Sequence, residues 1–219
     1  SDESVVDFGP NSPESESMLP TYKGLPHNLF AVERMLQQNA HMEQLLLYSS
    51  PKTGPEPAVE PLFTFQTPQT YGRPVTGISF NSQSTDFFAA GYGRSADDFN
   101  GFICIWNILN PGQPERIIKT NSVPTSVIFS EGVPYLLAAG FEDGAVGLYD
   151  IRPKNCECIA ISTVDTGSHE GTVGEVVFQQ RNDTRVRSET IVSVAAGGRV
   201  TQWTVANGLE HKDLVTLKK

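Results

Sequence analysis

The sequence predicts an all-β fold made of short strands that recur along the chain. In three places a glycine stands five residues before an aromatic residue: Gly101 to Trp106, Gly144 to Tyr149 and Gly198 to Trp203. An earlier strand of each copy ends in phenylalanine, with a spacing of 49 residues: Phe80, Phe129 and Phe178. A repeat of about 50 residues built from short strands is typical of a β-propeller blade. We therefore expect a propeller in which these aromatic residues are structural.

The first 61 residues divide into three segments that precede the repeats. Residues 1–26 combine prolines with acidic side chains and few apolar ones, which predicts a disordered segment. Residues 27–50 predict one amphipathic helix, because large apolar residues recur at steps of three and four. That apolar set includes Leu29, Val32, Leu36, Met42 and Leu46. Residues 51–61 contain four prolines and predict a stiff linker.

The predicted helix has two possible roles. It packs on its own propeller, or it docks to another subunit through its apolar residues. A calmodulin-binding or membrane-surface helix would have a basic face, whereas this helix carries Glu33, Arg34 and Glu43. We expect a partner-binding helix, because the proline-rich linker is long enough to separate it from the propeller.

From residue 62 onward the pattern predicts only strands. Residues 62–65 form an isolated apolar run, and three groups of four strands follow. The strands are expected near 74–80, 86–91, 101–108 and 115–120; near 124–129, 135–141, 145–151 and 156–163; and near 172–178, 190–195, 199–205 and 212–217. Propellers close with about four to eight blades, and open apolar edges are avoided. We therefore expect further blades outside these residues, with 62–65 as the outer strand of the last one.

The blade ends resemble WD-type repeats, through Tyr149-Asp150, Trp203-Thr204 and a preceding Ser168-His169. In such repeats a His, a turn Asp, a Ser or Thr and the Trp form a buried hydrogen-bonded network. The third blade has His169, Ser193 and Trp203, but Gly197 stands where the Asp would be. We expect the network to be incomplete in every blade and packing to hold the blades instead.

Longer stretches resemble the axonemal dynein intermediate chains, over about residues 29–219. The segments that carry the resemblance are Val32–Met35, Ala89–Gly93, Gly101–Trp106, Asn110–Glu115, Tyr135–Tyr149, Gly198–Trp203 and Asp213–Lys218. Pro114–Ile117 and Gly208-Leu209 are more similar to the intermediate chain of the two-headed inner-arm dynein than to the outer-arm chains.

The resemblance implies a non-catalytic scaffold subunit of a ciliary or flagellar motor. Such a subunit links the tail of the dynein heavy chain to a second intermediate chain and to dynein light chains. It implies a location in the cytoplasm and cytoskeleton, within the microtubule complex of the axoneme. The alternative is a WD-repeat adaptor of another assembly, such as a ubiquitin-ligase receptor, a vesicle coat or a ciliary transport complex.

Other functional classes lack their residues in this sequence. Motifs of serine hydrolases, P-loop enzymes and zinc proteases are absent, so no catalytic residue and no cofactor is expected. Cys156 and Cys158 have no second pair at zinc-ligand spacing, so no metal site is expected. A net charge of -9 disfavours nucleic-acid binding, and no apolar run approaches the ~18 residues of a membrane span.

Overall fold

The computed structural model describes residues 25–49, 61–96, 98–181, 188–205 and 209–217. Nearly all of the segment predicted to be disordered (1–26) and of the predicted linker (51–61) lies outside these residues. The described part consists of two short helices followed by three four-stranded antiparallel sheets. The predicted all-β fold class is therefore confirmed.

The single helix predicted for 27–50 is two helices, α1 (Leu25–Ala40) and α2 (Met42–Ser49). Helix α1 begins before Pro26, which is tolerated in a first helical turn because its missing N–H has no helical acceptor there. A turn at His41 separates the helices, and its N–H donates to the carbonyls of both Gln37 (3.1 Å) and Gln38 (3.3 Å). Neither described helix has the length and apolar character needed to cross a membrane.

Each sheet is one blade, with its strands side by side in sequence order. Blade 1 contains β1 (Val75–Phe80), β2 (Phe87–Tyr92), β3 (Phe102–Asn107) and β4 (Arg116–Lys119). Blade 2 contains β5 (Pro124–Phe129), β6 (Leu136–Phe141), β7 (Val146–Asp150) and β8 (Glu157–Ile161). Blade 3 contains β9 (Val173–Arg181), β10 (Ser188–Ala195), β11 (Arg199–Val205) and β12 (Leu209–Thr216).

The repeated glycines occupy places where a side chain does not fit. Gly144 and Gly198 lie in the turns before β7 and β11 with positive φ angles of 87° and 80°. These angles are in the region that glycine adopts without steric cost. Gly101 is not among the glycines with a positive φ, but a Cβ there would collide with the ring of Pro124. The glycine repeat therefore reflects tight turns in two blades and close approach of the next blade in the first.

The innermost strands of neighbouring blades lie side by side. The Ser79 hydroxyl of β1 accepts a hydrogen bond from the N–H of Phe129 in β5 (3.0 Å). Ser126 of β5 accepts one in the same way from Val176 of β9 (3.1 Å). One apolar core fills the space between blades 1 and 2, and a second fills the space between blades 2 and 3. The blades thus stack around a common axis with their cores between them.

Residues 62–65, predicted to be the outer strand of a blade outside these residues, pair with no strand of the three described blades. Instead, Phe65 packs edge-on against Phe88 (4.9 Å between ring centroids) and Trp106 (5.6 Å), and Phe63 packs against Phe65. Without a neighbouring strand, the N–H and C=O groups of residues 62–65 have no strand partner in the described blades, so the segment is held by the packing of its side chains. The segment covers the face of blade 1 that points away from blade 2.

A candidate docking surface on the helices

The side of α1 that faces the propeller is polar. Arg34, Gln37 and Gln38 are its half-buried residues. The Arg34 guanidinium lies 3.4 Å from the carboxylate of Glu115, whose side chain is only 7% exposed. The amide of Asn107 donates a further hydrogen bond to the same carboxylate (3.3 Å). A cation nearby stabilises a mostly buried carboxylate, so this pair favours the observed orientation of α1.

Two further contacts hold the helices against blade 1. Gln37 lies on Gly112, and a Cβ at Gly112 would come within 2.6 Å of the Gln37 side-chain oxygen. Tyr48, in the last turn of α2, packs on Phe63 with 6.5 Å between ring centroids. The helices therefore dock mainly through polar groups and one aromatic contact, and they bury little of their apolar surface.

The predicted partner-binding residues are all exposed to solvent. Leu29, Val32, Leu36, Met42 and Leu46 have exposed fractions between 46% and 63%. At 100° per residue, Val32 and Leu36 project from the side of α1 opposite to Gln38 and His41. Met35 and Leu47 extend the same apolar surface and are 63% and 58% exposed.

This distribution is the reverse of that on an ordinary surface helix. Such a helix buries its apolar stripe and exposes its polar face, because apolar burial is the main source of its stability. Folded monomers rarely expose contiguous apolar patches larger than a few hundred Å². We call this exposed surface of α1 and α2 the helical patch. Within residues 28–49, the exposed charged residues are Glu33 and Glu43, so the patch has an acidic border.

The predicted blade aromatics have three different environments. Trp203 is fully buried between blades 2 and 3, and Phe129 and Tyr149 are buried between blades 1 and 2. Trp106 is equally buried but lies beneath Phe65, on the face of blade 1 that has no neighbouring blade in the described residues.

The other two predicted aromatics are less buried. Phe178 is half-buried against the core between blades 2 and 3. Phe80 is 61% exposed, and it packs beside Phe88 on the same uncovered face of blade 1, with 5.4 Å between ring centroids.

Three members of the hydrogen-bonded network meet in the third blade, and the network is incomplete there, as expected, because the aspartate is missing. The Trp203 indole N–H donates to the Ser193 hydroxyl (2.6 Å), and His169 Nε2 lies 2.6 Å from the same oxygen. Because the aspartate is missing, the buried His169 Nδ1 has no hydrogen-bond partner in the described residues. The Ser193 hydroxyl therefore joins His169 and Trp203 without the aspartate.

The first blade uses a different donor–acceptor pair, which the sequence interpretation missed. The Trp106 indole N–H donates to the hydroxyl of Tyr92 (3.1 Å). Burial raises the pKa of Tyr92, so its hydroxyl stays protonated and remains available as a hydrogen-bonding group. The sequence feature that could have indicated this pair is Tyr92 in the Gly91-Tyr92-Gly93 run. This run lies in and after β2, which pairs with β3, the strand that contains Trp106.

The buried His169 makes the stability of blade 3 dependent on pH. Burial lowers the pKa of His169, and the charges of Arg199 and His211 lower it further, against an opposing effect of Asp213. The unfolded chain therefore binds a proton more readily, and stability is lost as the pH falls below the ordinary histidine value of about 6.5. We expect the free energy of unfolding, measured by urea melts, to fall less for His169→Gln than for the wild type as the pH is lowered from about 6.5 to 5. Equal pH slopes would contradict this role.

Chemistry that depends on a metal or a reactive thiol has no visible site in the described residues. No group of three His, Cys, Asp or Glu side chains is close enough there to hold a metal ion. Cys104 and Cys156 are buried, and burial raises the pKa of Cys104 to about 12, so this thiol is protonated at neutral pH. Cys158 is exposed, but neighbouring atoms partly desolvate its thiol, which also raises its pKa. The helical patch remains the main functional candidate.

Comparison with known proteins reveals clear relatives. The chain is 35% identical over 166 residues to dynein axonemal intermediate chain 4 of Rattus norvegicus, covering 74% of this chain and 21% of that protein. It is 29% identical over 229 residues to the Xenopus laevis protein of the same name, covering 94% and 31%. The 78 kDa intermediate chain of the Chlamydomonas reinhardtii flagellar outer arm is 32% identical over 189 residues, covering 83% and 27%. The chain thus spans about a fifth to a third of the length of these relatives.

Solved structures agree with the fold. Sqt1 from Chaetomium thermophilum superposes with a TM-score of 0.52 at 18% identity, covering 66% of this chain and 36% of that one. The Dos1 propeller superposes with a TM-score of 0.51 at 12% identity, covering 65% and 34%. No protein-family model matches the sequence. At these identities the structural matches support a propeller fold and carry no information on partners.

Proposed function

This chain belongs to the axonemal dynein intermediate chain family, and we propose that it acts as a non-catalytic scaffold in an axonemal dynein motor. In this role the blades form a rigid platform, and the helices that precede them present a binding surface to a neighbouring subunit. The partners proposed are the heavy-chain tail, a second intermediate chain and the dynein light chains. The proposed location is the axoneme of a cilium or flagellum.

The observation that supports this role most strongly is the helical patch. Its apolar side chains point away from the propeller, while the polar side of α1 is held by the Arg34–Glu115 ion pair. The propeller therefore positions the helices without covering their apolar surface. An amphipathic helix with anchors at such spacing fits the hydrophobic groove of a partner, and the binding energy would come from a few large side chains.

We expect the double substitution Val32→Asp, Leu36→Asp to release one dynein subunit. Two charges placed in an apolar contact cannot be solvated, so the affinity should fall by about tenfold or more. The measurement is co-purification from cilia of the protein carrying these changes, with quantitative mass spectrometry of heavy, intermediate and light chains. The propeller should melt at its original temperature, because neither side chain contributes to its cores.

A matched control adds the same charge elsewhere on the helices. Ala31 and Ser49 are also exposed, but they lie outside the apolar set. The pair Ala31→Asp, Ser49→Asp should leave the subunit composition unchanged. Equal losses in both double variants, or unfolding of the blades in the first, would show that the patch is not a specific docking surface. Recovery of a cullin, coat or ciliary transport complex in place of dynein subunits would favour the adaptor alternative.

The class of arm is a narrower proposal. Pro114–Ile117 and Gly208-Leu209 favour the two-headed inner-arm dynein, whereas the Chlamydomonas relative is named for the outer arm. The heavy chain recovered in the same co-purification decides between the two arms.

A further inference from the structure

A cavity of about 190 Å³ lies between blades 1 and 2. On the blade 1 side it is bordered by the end of β4 and the connection to β5, and on the blade 2 side by the turn before β7 and by strands β7 and β8. Its lining includes Asn121, Ser122, Phe141, Asp143, Tyr149 and Cys158. The cavity therefore belongs to the contact between two neighbouring blades, and it is separate from the helical patch.

Tyr149 brings an unpaired hydroxyl to this cavity. It occupies the repeat position of Trp106 and Trp203, whose indole N–H groups both have hydrogen-bond partners. Tyr149 is only 5% exposed, yet its hydroxyl takes part in none of the hydrogen bonds between the residues that the structure describes. Buried polar groups in folded proteins are nearly always paired, so this hydroxyl indicates a place for a ligand.

Asp143 places a negative charge near that hydroxyl. Burial raises the pKa of Tyr149, and Cys158 and Asp143 raise it further, so the hydroxyl is protonated at neutral pH. One carboxylate oxygen of Asp143 accepts a hydrogen bond from the N–H of Ala145 (3.1 Å). The carboxylate belongs to none of the ion pairs between described residues. The cavity thus has an anion without a counter-charge.

Lys119 also borders the cavity, but its side chain is directed elsewhere. It pairs with Phe102 across the β3–β4 ladder, whereas the neighbouring Ile118 packs in the core between blades 1 and 2. Side chains alternate between the two faces of a strand, so the side chain of Lys119 lies on the other face of blade 1, where Phe102 packs. The charge that faces the cavity is therefore negative.

The size and the walls of the cavity fit one basic side chain. A volume of about 190 Å³ is below the ~300 Å³ at which small-molecule pockets begin. The rings of Phe141 and Tyr149 suit both the apolar stem and the cationic end of lysine or arginine. The cationic group would pair with the Asp143 carboxylate and donate to the Tyr149 hydroxyl. The net charge of -9 on the whole chain also attracts a basic partner.

We propose that the cavity between blades 1 and 2 binds a lysine or arginine side chain of a partner protein, with Asp143 and Tyr149 as its polar contacts. A cavity of this volume accepts one such side chain, so the partner contributes a single basic anchor here. This site goes beyond the scaffold role proposed above and does not depend on the helical patch.

The test is selection from a random octapeptide library displayed on phage, with the full chain as the target. Peptides that share one lysine or arginine at an aligned position should be enriched. The selected peptides, made synthetically, should bind Asp143→Asn at least about tenfold more weakly by fluorescence anisotropy. This variant removes the charge, whereas its side-chain oxygen still accepts the hydrogen bond from Ala145, so the turn is retained.

Tyr149→Phe tests the hydroxyl separately. The hydroxyl has no hydrogen bond to lose among the described residues, so this variant should melt at the temperature of the wild type. Its affinity for the same peptides should fall about threefold or more, the effect of one lost hydrogen bond. A lower melting temperature with unchanged peptide affinity would show that Tyr149 is structural only and would overturn its role.

Asp165→Asn is the matched control, since Asp165 is also an exposed aspartate but lies in the β8–β9 connection, outside the cavity. It produces the same change in net charge and should leave binding unchanged. No enrichment, enrichment of peptides without a basic residue, or equal losses for both aspartate variants would overturn the proposal. Self-association of the chain that Asp143→Asn abolishes, without peptide enrichment, would also overturn it, because the occupant would then be a second copy.

Discussion

Trp203→Ala lowers the free energy of unfolding by about 3–5 kcal/mol, the usual cost of replacing a fully buried large aromatic residue with alanine. The indole has no solvent exposure and belongs to the same core as Ala138, Val146 and Leu148 of blade 2. Its removal leaves a cavity between two rigid sheets, which cannot collapse to fill it. Urea denaturation of the wild type and the variant, followed by far-UV circular dichroism, measures the loss.

Trp203→Phe separates the hydrogen bond from the packing. Phenylalanine keeps most of the aromatic surface but removes the N–H that donates to Ser193, so about 1 kcal/mol of this variant's loss comes from the hydrogen bond. Ser193 keeps His169 as a partner in that variant. If Trp203→Ala costs no more than Trp203→Phe, the blade interface does not depend on the volume of the indole.

The repeat pattern was sufficient to predict the blades, because each strand boundary depends on nearby residues. Apolar alternation, turn glycines and the fixed spacing are local signals, and the three sheets follow them closely. The hydrogen-bonded network was harder to predict. The sequence showed that Gly197 replaces the aspartate, but it could not show that His169, Ser193 and Trp203 remain within hydrogen-bonding distance without it.

The contact that holds the helices against blade 1 was beyond sequence reasoning. The apolar recurrence predicted an amphipathic helix, and an amphipathic helix normally turns its apolar side to its own domain. Here the anchor is a buried carboxylate 81 positions away, since Arg34 pairs with Glu115. A pairing at such a distance along the chain leaves no local signal in either segment. The same limit applies to the contact of Phe65 with Trp106, which lies far along the chain from it.

Gly144, the repeated glycine before β7, combines a positive φ with a close backbone contact. Gly144 has a φ of +87°, and a Cβ at this position would overlap the carbonyl oxygen of His169. Backbone atoms on both sides are fixed, because the His169 N–H donates to the Gly144 carbonyl (2.9 Å). Gly144→Ala therefore combines an unfavourable backbone conformation with a steric clash, and we expect a loss of about 3 kcal/mol.

Two neighbouring glycines separate these contributions. Gly171 has a φ of +92° but only the Ala196 side chain near its Cβ position, at 4.0 Å, so Gly171→Ala should cost about 1–2 kcal/mol from conformation alone. Gly174 has neither a positive φ nor a contact closer than 3.6 Å, and Gly174→Ala should stay within about 0.5 kcal/mol of the wild type. Urea melts of the three variants should follow that order. If Gly144→Ala is no worse than Gly171→Ala, the turn moves away from His169, and the glycine is needed for its conformation and not for the close approach of the blades.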